Sequence, residues 1–585
     1  MTTSLIDGNS LLAVDVGAAN TRAVLFDVVE GEYRFVASGS APSTAEAPFR
    51  DVSEGVRNAI TSLQTILGKP MLDANGGFIT PSQPNGSGVD AMVVTLSAGP
   101  TIRAVVVGLL KEVSLESARR LSESTYARIV ETIGLTDHRK PEQKIDSILR
   151  ARPDLVVITG GTDGGASRSI QKLLEPIGLA SYLLPPEKRP AVLFAGNEKI
   201  SKDVKSLVGS LAPSLHFSPN VRPSLETEDL EPAQRELARM VINIRKQQIK
   251  GVDVLDLWSG GHILPTAYAT GRMVRFLSKV YGAKKGILSV DIGASATVIS
   301  AGFKNKSTLN VYPQFGLGEN LSALLNYTSL ENILRWSPLD IPASVLRDYL
   351  YQKSLYPSAI AATLEDLAMS QAVARQALYL AMQSARRDFP RDIASIKPTL
   401  TPLFEPILAG GAILTGASHP GQGLLVLLDS LQPVGVTTVI LDQNNLLPLL
   451  GAAASQNNIL PVQVIESGAF LSIGTVISPV VSASIGVPIL RGKLTYENGV
   501  EARVELKYGS IETLPLATGE TGKLTIQCLH GADVGFGPNR GKEITVSGGA
   551  LGVVFDGRGR PLDLPSDAVR RHELIKKWNW TLGGE

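Results

Sequence analysis

Two segments far apart in the chain carry one signature. Leu11-Leu12-Ala13-Val14-Asp15-Val16 runs into Gly17-Ala18-Ala19-Asn20-Thr21, and Leu288-Ser289-Val290-Asp291-Ile292 runs into Gly293-Ala294-Ser295-Ala296-Thr297. Each is an apolar strand closed by an aspartate, then a turn of small residues leading into a second strand. Repetition of this unit about 275 residues later predicts two lobes built on one plan. Gly17 and Gly293 have no side chain to keep a phosphate away from the turn amides. Facing each other across a cleft, the two turns would grip a polyphosphate through Gly17, Ala18, Asn20 and Thr21 on one side and Gly293, Ala294, Ser295 and Thr297 on the other. The carboxylates of Asp15 and Asp291 would hold Mg²⁺ through its waters and orient an attacking water. Taken singly, a strand-Asp-x-Gly turn is an ordinary hairpin; the pair is what points to nucleotide.

The rest of the chain fits that plan. Strands alternate with helices between about residues 90 and 285, as in a parallel βαβ subdomain, and one of its turns is Thr159-Gly160-Gly161-Thr162-Asp163-Gly164-Gly165. There Gly160, Gly161 and Thr162 would present amides to an anion at a helix N-terminus, while Asp163 reads better as a helix cap. Near residue 407 a strand meets the Gly410-Gly411 turn. The expected organisation is a first lobe over 9–285 carrying the inserted α/β subdomain, a second lobe over 286–462, and a separate β-rich domain over 463–585.

The paired aspartate turns resemble those of the actin, sugar kinase and heat-shock ATPase superfamily. That resemblance implies the two-lobed α/β fold of duplicated ribonuclease H-like lobes, ATP and Mg²⁺ as ligands, and nucleoside contact at Gly410 and Gly411. The second turn departs from the superfamily pattern: Ala294 replaces a glycine, Ala296 occupies the threonine position with Thr297 following, and Val298 replaces an acid. Loss of that carboxylate weakens metal binding more than phosphate binding, and so weighs against hydrolysis more than against nucleotide capture. In the middle of the chain Ser97-Ala98-Gly99-Pro100, Val107-Gly108-Leu109-Leu110, the Gly160-Gly161 turn, Ala195-Gly196-Asn197, Asn220-Val221-Arg222-Pro223 and His262-Ile263-Leu264-Pro265 are similar, in order, to landmarks of the glutamate mutase L (MutL) family, which is unrelated to mismatch-repair MutL. The resemblance covers about residues 9 to 455. It implies an ATP-dependent reactivase or chaperone partnered with adenosylcobalamin-dependent mutase subunits; the alternative is a nucleotide-binding scaffold without turnover.

Composition sets bounds. Lys plus Arg total 56 against 55 for Asp plus Glu, so no broad field recruits nucleic acid or anionic lipid. The single Cys528 excludes internal disulfides and thiolate zinc cages. The start of the chain lacks the basic and apolar runs of a signal peptide, and a cytoplasmic location is expected. The uncharged run from Ser467 to Leu490 holds two prolines and many β-branched residues, which suits buried strands better than a membrane helix. Gly519 to Lys523 mimics part of a phosphate loop but lacks its first glycine and its hydroxyl, and the six histidines show no metal-ligand spacing. Arg540, Lys542, Arg558 and Arg560 read as charges on solvated loops, with a docking patch for an acidic partner as the alternative.

Overall fold

The computed structural model of the chain describes residues 9–165, 167–209, 211–281, 285–304 and 306–584; the signal-peptide reading of the first residues lies outside them. The chain opens as an antiparallel meander of β1 (Leu11–Val16), β2 (Asn20–Val29) and β3 (Glu32–Pro42). Alternation places Leu12, Val14 and Val16 on one face, where Val56, Ala59, Ile60 and Leu63 of the helix Val52–Leu67 cover them. That helix starts where the Asp51 carboxylate accepts the Ser53 N–H at 3.0 Å, an N-cap. Gly39 lets it lie close, since a β-carbon there would fall 2.3 Å from the Leu63 nitrogen.

β4 (Ala91–Leu96) runs parallel to β1. The chain then departs into an all-parallel sheet of β5 (Ile102–Gly108), β6 (Ala127–Gly134), β7 (Leu155–Ile158), β8 (Ala191–Phe194) and β9 (Leu215–Phe217), ordered β6-β5-β7-β8-β9. Successive residues of β5 enter different cores, Ala104 and Val106 on one face and Val105 and Val107 on the other, which is why these strands read as continuous apolar runs. β10 (Ile263–Pro265) returns to pair with β4 and completes a sheet ordered β10-β4-β1-β2-β3.

The second lobe repeats the plan. β11 (Gly286–Ile292), β12 (Thr297–Phe303) and β13 (Lys306–Tyr312) form the meander, and β14 (Phe404–Gly410) and β15 (Gly435–Leu441) add in parallel. The order β13-β12-β11-β14-β15 matches β3-β2-β1-β4-β10 strand for strand and direction for direction. This is the duplicated, two-lobed plan of the actin-like ATPases.

The C-terminal run differs from the separate domain expected of it. β16 (Leu471–Ser478) pairs with β15, and β17 (Pro488–Tyr496), β18 (Glu501–Lys507), β20 (Thr521–Cys528) and β21 (Lys542–Ser547) build a four-stranded sheet, but β19 (Ile511–Leu514) and β22 (Val553–Asp556) return to extend the second-lobe sheet beyond β16. Ile473, Val476, Ile511, Val554 and Trp578 share a core with Val290 and Ile407. Arg558 and Arg560 are likewise not solvated. Arg558 donates to Asp556 at 2.9 and 3.0 Å and to Asp429 at 2.6 Å, Arg560 donates to Asp556 at 2.5 Å, and Arg375 donates to Asp429 at 2.7 Å, all buried. Burial alone would raise the Asp556 pKa, but Arg558 and Arg560 hold it well below the usual range. Arg540 and Lys542 are exposed as expected.

A different seam joins the insertion to the second lobe. Arg119, in the helix Glu116–Ser122, bonds Asp388 at 2.5 Å, and Val311 of β13 donates its N–H to the Glu123 carbonyl at 2.6 Å. The two segments that meet here also carry buried polar atoms without partners among the described residues, namely Arg120 Nε, Ser122 Oγ, Thr125 Oγ1, Thr308 Oγ1, Asn310 Oδ1 and Tyr312 OH. Such groups cost free energy in a dry interface and mark one that hydrates or opens.

Two outcomes are expected. Arg558→Met takes one of its two arginine partners from each of the buried carboxylates Asp556 and Asp429 and lowers stability by about 3 kcal/mol, read by urea unfolding, with the loss felt by both the second lobe and the C-terminal sheet. In hydrogen exchange, the amides of residues 306–312 and 116–125 open at lower free energy than those of the apolar helix Leu446–Ala453.

Candidate functional site

The register of the first hairpin decides which side chains reach the cleft. Asp15 pairs with Arg22 and Val16 with Thr21, and cross-strand partners share a face. Arg22 therefore accompanies Asp15, while Thr21 is fully buried near Gly55 of the covering helix, its hydroxyl unpartnered. Asp15 accepts from Thr95 Oγ1 at 2.6 Å, Thr266 Oγ1 at 2.9 Å and Asn445 Nδ2 at 2.8 Å. Its pKa is raised by burial, against the pull of these donors and of Arg22.

The second hairpin repeats the arrangement. Asp291 pairs with Val298, and Ile292 with Thr297, so Thr297 turns inward and donates to the Phe315 carbonyl at 2.7 Å. On its other side Asp291 neighbours Gly410. A β-carbon at Gly410 would sit 3.2 Å from Asp291 Oδ1, and one at Gly411 would sit 2.4 Å from the Ile292 carbonyl oxygen, with Gly411 at φ +103°. Only glycine fits that conformation and approach.

A third carboxylate completes the set. Asp442, just beyond β15, accepts the N–H groups of Leu446 and Leu447, both at 2.7 Å, at the N-terminus of the helix Leu446–Ala453. Asp291, Gly410, Asp442 and Asn445 line a cavity of about 20 Å³. Burial, with Asp15 and Asp442 nearby, pushes Asp291 up to about 7; burial pushes Asp442 up to about 6. Asp291 alone of the three takes no hydrogen-bond donor among the described residues.

The loop 442–445 ties the lobes together. Gln443 gives its carbonyl to Arg22 at 3.2 Å, Asn444 accepts from Ser38 at 3.2 Å, and Asn445, held at φ +54°, reaches Asp15. On the insertion side, buried Tyr126 lies close enough to Asp15 and Asp291 to feel both charges. Arg22, Tyr126, Asp442 and Asn445 were not singled out in the sequence. The available signal for two of them was the polar run Asp442-Gln443-Asn444-Asn445 between an apolar strand and an apolar helix.

Gly17 and Gly293 close their turns by donating N–H to the Asn20 and Ala296 carbonyls, at 2.9 and 3.0 Å. A β-carbon would meet those same carbonyls at 2.7 and 3.2 Å, so both glycines serve the turn itself. The unengaged amides are those of Ala18 and Ala19 in one turn and Ala294 and Ser295 in the other, among the described residues. Asn20 is exposed at the first tip. The second tip is roofed by 316–318, where Leu317 and Gly318 donate to the Gly293 and Ala294 carbonyls, both at 3.0 Å; Ser295 Oγ is buried there without a partner. Three carboxylates short of countercharge, paired turns with free amides and an orphaned hydroxyl are a donor and acceptor set that fits a magnesium-bound polyphosphate.

The structure does not bring Gly160, Gly161 and Thr162 to this cleft. They follow β7, whose last residue pairs with Val107 near the far end of β5, whereas Tyr126 receives the N–H of Ile102 at the start of β5. Five residue steps, about 17 Å, separate the two ends. Asp163 accepts from Asn220 Nδ2 at 2.9 Å.

Comparison with known proteins adds the family. Protein MutL of Clostridium tetanomorphum is 24% identical over 204 residues, 34% of this chain and 42% of that relative's length. Among solved structures, nucleotide-free acetone carboxylase is 13% identical over 88% of this chain and 82% of its own, with a TM-score of 0.28. A diol dehydratase-reactivating factor in nucleotide-free form is 10% identical over 78% and 99%, with a TM-score of 0.29. At such scores the fold assignment rests on strand order and pairing. A model of the MutL protein family matches residues 11–468, most of the sequence, and the chain belongs to that family, the glutamate mutase L proteins.

Proposed function

We propose that this protein binds ATP with Mg²⁺ between Asp15 and Asp291 and uses the accompanying lobe movement to reactivate or chaperone an adenosylcobalamin-dependent mutase. One observation carries the reading: carboxylates from both lobes, Asp15, Asp291 and Asp442, converge on one cleft between paired Gly turns. Family membership supports the mutase as client.

Each residue then has a role. Asp15, fixed by Thr95, Thr266 and Asn445, is a positioned acceptor for metal-bound water. Asp291, with no donor of its own, is the group free to orient a water or hold a proton. The amides of Ala18, Ala19, Ala294 and Ser295 receive phosphate oxygens, and Gly410-Gly411 leaves backbone for the nucleoside. Bound Mg²⁺ would supply the countercharge for the phosphates and carboxylates. A cavity of about 20 Å³ has room for about one water, and a nucleotide needs roughly 300 Å³ or more. Entry therefore requires the lobes to part, and the under-bonded seam between 116–125 and 306–312 is where parting costs least.

A second reading, binding without turnover, is favoured by Val298. It stands beside Asp291 where the superfamily pattern that this turn resembles has an acid, packed with Tyr126, Ala267, Leu309 and Val311. Phosphate release above background that vanishes in Asp15→Asn would rule that reading out.

By isothermal titration, intact protein binds Mg-ATP, and Asp15→Asn and Asp291→Asn each weaken binding by at least about tenfold, roughly 1.4 kcal/mol. Undetectable binding by the intact protein ends the proposal. Mutase inactivated in turnover should regain activity with this protein and ATP but not with Asp15→Asn.

The pKa shifts give a separate expectation. Because Asp291 is raised to about 7, the folded protein retains a proton that the unfolded chain releases above about pH 4. Stability attributable to this group therefore falls as pH rises from about 4 to 7. Asp291→Asn removes that cost: the difference in unfolding free energy, variant minus wild type, grows across this window to roughly 1–3 kcal/mol, each pKa unit being worth about 1.4 kcal/mol. Urea titrations at both ends of the window read it.

A further inference from the structure

A second cavity, of about 520 Å³, lies between the insertion and the second lobe. Its walls include Thr101, Arg103 and Arg128 from the insertion and Gln314 and Asn320 from the second lobe, joined where Asn320 Nδ2 donates to Thr101 Oγ1 at 3.1 Å. It shares no lining residue with the carboxylate cleft, and it falls within the roughly 300–1,000 Å³ of small-molecule sites.

The two arginines are the telling feature. Arg103 and Arg128 are direct partners across the parallel β5–β6 pair, so two guanidinium groups start from adjacent positions on one face. Like charges placed this way destabilise a sheet. Elsewhere on the insertion such charges are matched: Arg139 is pinned by Glu131 and Asp137, and Arg120 by Glu228. Among the described residues, neither Arg103 nor Arg128 has a carboxylate in ion-pair range, and none lines the cavity. The nearest acid in the bonding pattern, Asp154, accepts the Arg103 backbone N–H at 2.8 Å. Arg103 Nε is anchored on the Ala151 carbonyl at 2.7 Å, which fixes the stem and leaves the fork of terminal nitrogens to a ligand. From Arg103 a shallow basin of about 550 Å³ continues past Arg150 and Arg152, also without an acid in its lining.

We infer that this groove binds a phosphate-bearing small molecule. The paired guanidinium forks of Arg103 and Arg128 take a diphosphate, because planar forks match phosphate oxygens two at a time. Thr101, Gln314 and Asn320 are the hydrogen-bonding groups for what the phosphates are attached to, and the arginine basin accommodates further anionic length. Since both lobes supply walls, occupancy favours the joined arrangement of insertion and second lobe.

The probe is pyrophosphate, titrated calorimetrically into full-length protein without Mg²⁺. Binding in the micromolar range is expected, weakened about tenfold or more by Arg128→Gln and abolished by Arg103→Gln with Arg128→Gln, but unchanged by Asp291→Asn. Both arginines are exposed, and thermal melts of the variants matching wild type establish that the fold is retained. Pyrophosphate binding that survives the double variant, or that is lost in Asp291→Asn, overturns the inference by placing the anion elsewhere. So does an absence of heat at about 1 mM. A Glu-rich peptide that binds in an Arg128-dependent way where pyrophosphate does not would assign the groove to a protein partner and overturn it equally. Failure of this test leaves Mg-ATP binding at Asp15 and Asp291 untouched, because that binding is read with a different ligand and with Asp15→Asn, while the arginine variants belong to this groove alone.

Discussion

Three like charges lie close enough to feel one another with little water to screen them, and the fold around Asp15, Asp291 and Asp442 is organised to tolerate this. Two of the three are stabilised locally by hydrogen-bond donors. Asp15 is held by two threonine hydroxyls and an asparagine amide, and Asp442 sits on the first amides of a helix, where the dipole favours a negative charge. Asp291 receives nothing comparable, and burial raises it to about 7 against about 6 for Asp442. A fold that satisfies two carboxylates and leaves the third bare keeps a stored electrostatic cost, and a cation-carrying ligand is the simplest means of relieving it.

The way the lobes are joined follows from where that cleft must lie. Behind it the helices Thr266–Val280 and Leu446–Ala453 pack between the two sheets. They approach closely because Gly451 has no side chain: a β-carbon there would fall 2.1 Å from the Ala269 carbonyl oxygen. The second of these helices is buried throughout, since its residues face one lobe or the other. The joint between insertion and second lobe is instead polar and incompletely bonded. A dry apolar contact resists separation through its full buried area, whereas water can replace each missing bond in a polar seam. Opening is thus biased to the seam, with the helix pair as the hinge.

The hairpins were legible because everything that makes them is local: apolar alternation, a terminal aspartate and a small-residue turn within a dozen positions. The same alternation also contained which residues face the cleft. Asp15 and Arg22 pair across the turn, so Thr21, one position away, had to face the helix; naming Thr21 and Thr297 as ligands treated the turn as a string and not as a pleated pair. Asp442 was hidden for another reason. Its position depends on parallel pairing of β15 with β14, a contact between segments separated by two helices, and nothing near residue 442 encodes it. Arg558 and Arg560 looked solvated because glycines flank them. The alternation Asp556-Gly557-Arg558-Gly559-Arg560 is equally that of a buried charge ladder, and only Asp429, more than a hundred residues earlier, decides between the two. The C-terminal strands misled similarly: their short runs and turns imply β structure but not which sheet they join.

The two lobes have diverged in what faces the aspartate. In the first, Arg22 stands beside Asp15 and partly offsets the burial that raises Asp15 and Asp442, so that half manages charge and ties the lobes through Gln443. In the second, Val298 stands beside Asp291 and packs with Tyr126 of the insertion, so that half excludes water. An arginine in place of Val298 would neutralise Asp291 and remove its unmet demand for a cation; an acid there would add a fourth negative charge. Valine does neither. It leaves Asp291 as a carboxylate without a hydrogen-bond donor among the described residues, set against an apolar wall supplied in part by the insertion.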